Sequence, residues 1–252
     1  MGTEERENLL RGKTALVTGG ARRLGAAMAR ALAESGANVV VHYRHSADAA
    51  LALAAELRGC GVGAWTVAGD LALARAGTEV FAAALGVAGP IDILVNNASI
   101  FPEGTLATLD EESLSLNHRV HAVAPLELGR AMHAQERDGA IVNLLDTRVN
   151  DYDRLHVAYH LSKRTLDALG RMMAVEFAPR IRVNAIAPGL VLPPEGRDEA
   201  YLAGLAHTNP LNRYGGEADV VRAMLFLLNS PFITGQTICV DGGRHLRGSF
   251  YG

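Results

Sequence analysis

Seven short runs of β-branched and apolar residues, separated by longer segments rich in Ala, Leu, Glu and Arg, constrain this chain's fold more than any other feature. They are TALVTG (14–19), NVVVHY (38–43), GAWTVAGDL (63–71), IDILVNN (91–97), AIVNLLD (140–146), RVNAIAP (182–188) and QTICVDGG (236–243). A strand with one wet face alternates apolar and polar residues. These runs are apolar through their length, which predicts a sheet covered on both faces. Strands alternating with helical segments predict parallel order, and hence an α/β, doubly wound, seven-stranded parallel sheet with helices on both faces. Residues 24–36 read as a helix closed by Gly36, and 46–59 as a second with Ser46 as N-cap. No repeat or low-complexity linker interrupts the pattern. One domain is expected over 13–252, after a polar tail at 1–12 and with a substrate loop at about 189–210.

Composition narrows the function. The chain has 252 residues, 49% apolar and 20% charged, and a formal net charge of −3, so no global field favours nucleic acid or an anionic membrane. The start, MGTEERENLLRGK, lacks the basic and apolar regions of a signal peptide, and no apolar run approaches the roughly 20 residues of a membrane span. A cytoplasmic protein is expected. Cys60 and Cys239 read as free thiols of a reducing compartment. His118, His121, His156, His160 and His207 share no metal-ligand spacing, so they read as surface or packing residues and no metal site is expected.

After the first run comes VTGGARRLG. Gly19 and Gly20 allow a sharp turn, Gly25 allows close packing of the helix start, and Arg22, Arg23 and Leu24 lie in the first turn. Unpaired N–H groups there suit a diphosphate. A tight turn with no ligand would use similar residues, and the spacing Gly19-x5-Gly25 departs from G-x-G-x-x-G. The second run ends in Tyr43, Arg44, His45 and Ser46, with the first acid, Asp48, already inside the next helix. An acid at that point suits a ribose 2′-hydroxyl, whereas cation, imidazole and hydroxyl suit a 2′-phosphate. The expected cofactor is therefore NADP(H).

Tyr159 and Lys163, in YHLSK, stand four apart on one helix face. An ammonium beside a phenol favours the phenolate, which would lower the phenol pKa toward neutrality and suit proton transfer. Thirteen residues before the tyrosine stands a carboxylate, Asp146.

These elements, with GDL (69–71), NNAS (96–99), Asn117, RVNAIAPG (182–189) and DGG (241–243), resemble the short-chain dehydrogenase/reductase family over nearly the whole chain. The resemblance implies a single Rossmann-type domain, catalytic Tyr159 and Lys163, and Asn117 holding a water near the lysine. It also implies that Asp70 contacts the adenine, that Asn97, Ala98 and Ser99 line the nucleotide, and that Leu71, Pro188 and Gly189 bind the cofactor. Three positions depart from the family: Arg23 and Ser99 replace glycines, and Asp146 replaces the usual serine. Together with HYRHSA, NNASIF and the ending DGGRHLR, these departures resemble the pteridine and dihydromonapterin reductases.

That narrower resemblance implies a pterin substrate, with Phe101 stacking on its ring and Arg23 and Ser99 at its polar edge. A ketone oxygen suits a serine hydroxyl. A ring C=N instead needs a proton on nitrogen, which a carboxyl such as Asp146 can donate in a relay with Tyr159 if burial raises its pKa; an ionised Asp146 would only accept. The alternatives are a carbonyl or 3-oxoacyl reductase and a non-catalytic NADPH-binding regulator. By analogy the family implies a homotetramer, which the aromatics of the tail RHLRGSFYG would suit.

Overall fold

The computed structural model describes residues 10–150, 154–194 and 196–247. Seven strands form one parallel sheet: β1 (Thr14–Val17), β2 (Asn38–Tyr43), β3 (Ala64–Ala68), β4 (Ile93–Asn96), β5 (Gly139–Leu144), β6 (Ile181–Pro188) and β7 (Thr237–Val240). Their order is β3-β2-β1-β4-β5-β6-β7. The chain reverses its direction of winding between β1 and β4, the crevice in which such sheets bind ligands. This is the expected Rossmann-like arrangement.

Successive strand residues face opposite sides. Val17, Val39, Val41, Val95 and Val142 pack under α1 (Arg23–Glu34), α2 (Ala47–Arg58) and α8 (Glu217–Leu228). Leu16, Val40, Leu94 and Ile141 pack under α3 (Ala76–Ala88), α5 (Ala124–His133) and α6 (Val157–Glu176). Both pleat faces are thus dry, which is why no strand alternates in hydropathy.

Strand ends differ from expectation. The apolar run AIVNLLD outlasts the ladder, β5 closing at Leu144, so Asp146 stands in the following loop. Gly36 does close α1, with a left-handed φ of 88°. Ser46 occupies the N-cap position of α2, but its hydroxyl makes no capping bond. Within the expected substrate loop a short helix, α7, spans Glu199–Leu205, capped by Asp198, which accepts from the Tyr201 N–H. Glu195, most of the N-terminal tail, and Phe250 and Tyr251 lie outside the described residues. Among those residues no helix is long and apolar enough to cross a membrane.

Candidate active site

The nucleotide end is built on the turn after β1. Gly19 has φ +60°, and a side chain on Gly25 would lie 2.7 Å from Asn97 Nδ2. That amide donates to the carbonyls of Thr18 and Gly19 at 2.9 and 3.1 Å. The Thr18 hydroxyl accepts from the N–H groups of Asn97 and Ala98 at 2.9 and 3.0 Å. The glycines therefore serve a close backbone approach between the β1 turn and the segment after β4.

His42, a buried residue of β2, completes this cradle. Its Nδ1 accepts from Gly19 N at 3.1 Å, and its Nε2–H donates to Gly69 O at 3.1 Å. Burial lowers its pKa from 6.5 to about 4. An unfolded histidine takes up its proton near pH 6.5 while the folded one waits until about 4. Stability present above pH 6.5 is therefore lost as the pH falls through that window, by up to about 3 kcal/mol. Urea unfolding at a series of pH values should show this slope, and His42→Gln should flatten it. An unchanged slope in the variant would remove His42 as its source.

NADP(H) fits the residues present. Helix α1 has no side-chain cap and no acid in its first turn, and its N-cap is the exposed Arg22. Its positive end is thus open to a diphosphate. Leu24 anchors the turn by packing on the core. At the end of β2 the half-buried Tyr43 accepts from Gly69 N at 3.0 Å, with Arg44 and His45 exposed beside it. Arg44 Nε lies 3.2 Å from Asp70 Oδ2, so the cation expected at the 2′-phosphate adjoins the acid expected at the adenine. Leu71 is buried next to Asp70. On the far side, Gly189 at the end of β6 approaches Asp241 closely enough that a side chain there would lie 2.6 Å from its Cβ, and Pro188 precedes it.

Arg23 has a left-handed φ of 51°, the conformation a glycine adopts without strain. Its guanidinium donates to the carbonyl of Pro193, so it ties the phosphate turn to the substrate loop.

Helix α6 brings Tyr159 and Lys163 beneath the loop after β5. Lys163 Nζ donates to Leu144 O at 2.6 Å. Burial lowers its pKa from 10.5 to about 8, with Asp146 acting in the opposite direction. Asp146 accepts at both oxygens, from Arg148 N at 2.8 Å and from the Tyr159 hydroxyl at 3.3 Å. The latter is long for an O–H···O bond.

The expectation that Lys163 lowers the tyrosine pKa is overturned. Burial first, then the Asp146 charge and hydrogen bond, push the Tyr159 pKa well above 10. The ammonium is instead engaged with the Leu144 carbonyl and sits 5.6 Å from the phenol ring centroid. The phenol is thus a resting acid, hydrogen-bonded toward the carboxylate.

Asn117 lies in α4 (Glu111–His118), just before a π-turn, Arg119–Val123, that leads into α5. Its Nδ2 donates to Ser113 O at 2.9 Å, while its buried Oδ1 has no hydrogen-bond partner among the described residues. A buried bare acceptor beside a catalytic helix fits a bound water.

Ser99 and Phe101 stand at the mouth. Phe101 is 47% exposed, stacked on His156 at 3.6 Å and edge-on to Tyr159 at 4.7 Å. Its segment is docked by Gly104 N donating to Leu155 O at 2.6 Å and Val157 N donating to Gly104 O at 3.0 Å. Two histidines read as surface or packing residues therefore belong to the site: His156 backs Phe101, and His121 lies buried with its ring 5.3 Å from that of Tyr159. One signal was available for His121. It stands four residues after Asn117, so helical spacing places the two near one face.

The family model described as Enoyl-(Acyl carrier protein) reductase matches residues 19–245. D-erythrulose reductase of Gallus gallus is 36% identical over 246 residues, covering 92% of this chain and 96% of that one. L-xylulose reductase of Bos taurus is 37% identical, covering 93% and 97%. Among solved structures, FolM alternative dihydrofolate reductase 1 of Brucella canis, complexed with NADP, is 36% identical with a TM-score of 0.87, covering 95% and 96%. With the sheet order, the glycine turn and the Asn117–Tyr159–Lys163 set already assembled, this likeness makes the chain a member of the short-chain dehydrogenase/reductase family, an oxidoreductase whose residues fit NADP(H).

Proposed function

We propose that this enzyme reduces a dihydropterin to a tetrahydropterin with NADPH. The observation that carries the reading is the Asp146 carboxylate 3.3 Å from the Tyr159 hydroxyl, where the family has a serine. Bound NADPH supplies a hydride to the ring carbon of a C=N group. Protonating the ring nitrogen is the work of this chain's own residues. The Tyr159 proton passes along its hydrogen bond to Asp146, and Asp146 delivers it to the nitrogen. Lys163, held against Leu144 O, steadies the tyrosinate left behind, and a water on Asn117 Oδ1 returns a proton afterwards. Phe101 offers an exposed apolar face for a flat heterocycle, a contact that contributes roughly 0.5–1.5 kcal/mol beyond burial. The likeness to the Brucella FolM structure supports this reading.

A second reading, ketone or sugar carbonyl reduction, is favoured by the names of the erythrulose and xylulose reductases among the relatives. In that chemistry the Tyr159 hydroxyl protonates the new alkoxide directly. Homotetrameric assembly belongs to the same proposal, supported by Met172 and Val175, which are 65% and 80% exposed on α6.

The deciding experiment follows NADPH absorbance with dihydrobiopterin, dihydrofolate, a sugar ketone, or no substrate. Turnover of the pterin or folate above the ketone supports the first reading. Turnover of the ketone alone replaces it with the second.

A further inference from the structure

His121 is 1% exposed, lies on the π-turn, and has no part in the reaction just described. Its Nε2 is 3.1 Å from Ile100 N and 3.0 Å from Ser99 Oγ, and its Nδ1 is 2.8 Å from Ser162 Oγ. A backbone N–H can only donate, so Nε2 must present its lone pair to Ile100. A neutral ring then carries its one proton on Nδ1, where it is donated to the Ser162 hydroxyl. Ser162 in turn donates to Tyr159 O at 2.6 Å. One tautomer therefore closes a chain from Ile100 N–H through His121 and Ser162 to the Tyr159 carbonyl. The opposite tautomer would set Nε2–H against Ile100 N–H. Burial and the ammonium of Lys163 disfavour a charge on this imidazole and outweigh the Asn117 carbonyl, which favours one.

We infer that His121 is a positioning residue: as the neutral Nδ1–H tautomer it clamps the Ser99–Ile100 segment, which leads directly into Phe101, to the turn of α6 that bears Tyr159. Both of its ring nitrogens are taken up by this chain's own groups, so it acts through the residues it holds. It sets the separation between the wall of the site and the proton donor, and it does so whether the substrate is a pterin or a ketone.

Two measurements test this. Long-range nitrogen–proton correlation on histidine-labelled enzyme reads the tautomer, with the His121 signals identified by their loss in His121→Gln. The expected pattern is a protonated Nδ1 and a bare Nε2. A proton on Nε2, or on both nitrogens at neutral pH, would overturn the inference.

In kinetics with whichever substrate the panel above turns over, His121→Phe should lower kcat about tenfold, because it removes both the acceptor of the Ile100 N–H and the donor to Ser162 Oγ, and with them the link between the two segments. The NADPH dissociation constant should change by less than about threefold, since the helix end and basic side chains that meet its phosphates are untouched. His121→Gln, whose amide can accept from Ile100 and donate to Ser162, should recover most of the loss. A wild-type kcat in the Phe variant, or a Gln variant no better than Phe, would also overturn it. Failure of the pterin proposal leaves the tautomer and the ketone kinetics to judge His121 independently.

Discussion

Tyr159→Phe is expected to lower kcat by about 10³, within the range measured for losing a positioned general acid, while leaving NADPH affinity nearly unchanged. The magnitude follows from the geometry. The Tyr159 hydroxyl is buried, and burial together with Asp146 keeps its proton on oxygen well above pH 10. It is therefore fully loaded at neutral pH, and deleting it removes a donor that neither Lys163 nor Asp146 duplicates. Lys163 donates to Leu144 O, and Asp146 accepts at both oxygens. The fold should be indifferent to the change, because the phenyl ring retains its contacts with Phe101 and His121. Stopped-flow reduction and cofactor fluorescence titration separate the two effects. A loss of NADPH binding equal to the loss of kcat would show that the hydroxyl serves the ground state.

The second large effect is expected at Asp146. Asp146→Asn keeps the shape and can still accept from Arg148 N, but an amide cannot relay a proton. Dihydropterin turnover should fall by roughly 10²–10³. Asp146→Ser restores the family's usual hydroxyl and should raise the ratio of ketone to pterin turnover by at least about 10². The two variants move different substrates in opposite directions, so a general loss of folding cannot mimic the result. Retention of pterin turnover in the Asn variant would remove Asp146 from the proton path and leave Tyr159 as sole donor.

Strand cores were readable from the chain because a sheet dry on both faces demands unbroken apolar runs, and Val39–Val41 or Ile93–Val95 satisfy that wherever the ladder ends. Strand limits were less readable. Leu145 and Asp146 continue the apolar-to-polar run past the last ladder residue, and hydrogen-bond register leaves no mark on composition. The catalytic set was legible through motif spacing. Its electrostatics were not, because the sign of the Tyr159 shift depends on burial and on where the Lys163 ammonium finds its acceptor. The roles of His42 and His121 were hidden for a related reason. Their partners, Gly19, Gly69, Ile100 and Ser162, are distant in sequence, and only the folded chain brings them within reach.

The five-residue turn at Arg119–Val123 is wound more loosely than the helices it joins, holding about one residue more than an α-helical path would need. Tightening it to regular winding would rotate everything upstream by about 100° against α5. Leu128 and Met132 would keep their seats on the sheet, while the amide of Asn117 would swing off the reaction centre. That supernumerary residue thus acts as a phase adjuster, letting one continuous rod satisfy the core at its far end and the chemistry at its near end.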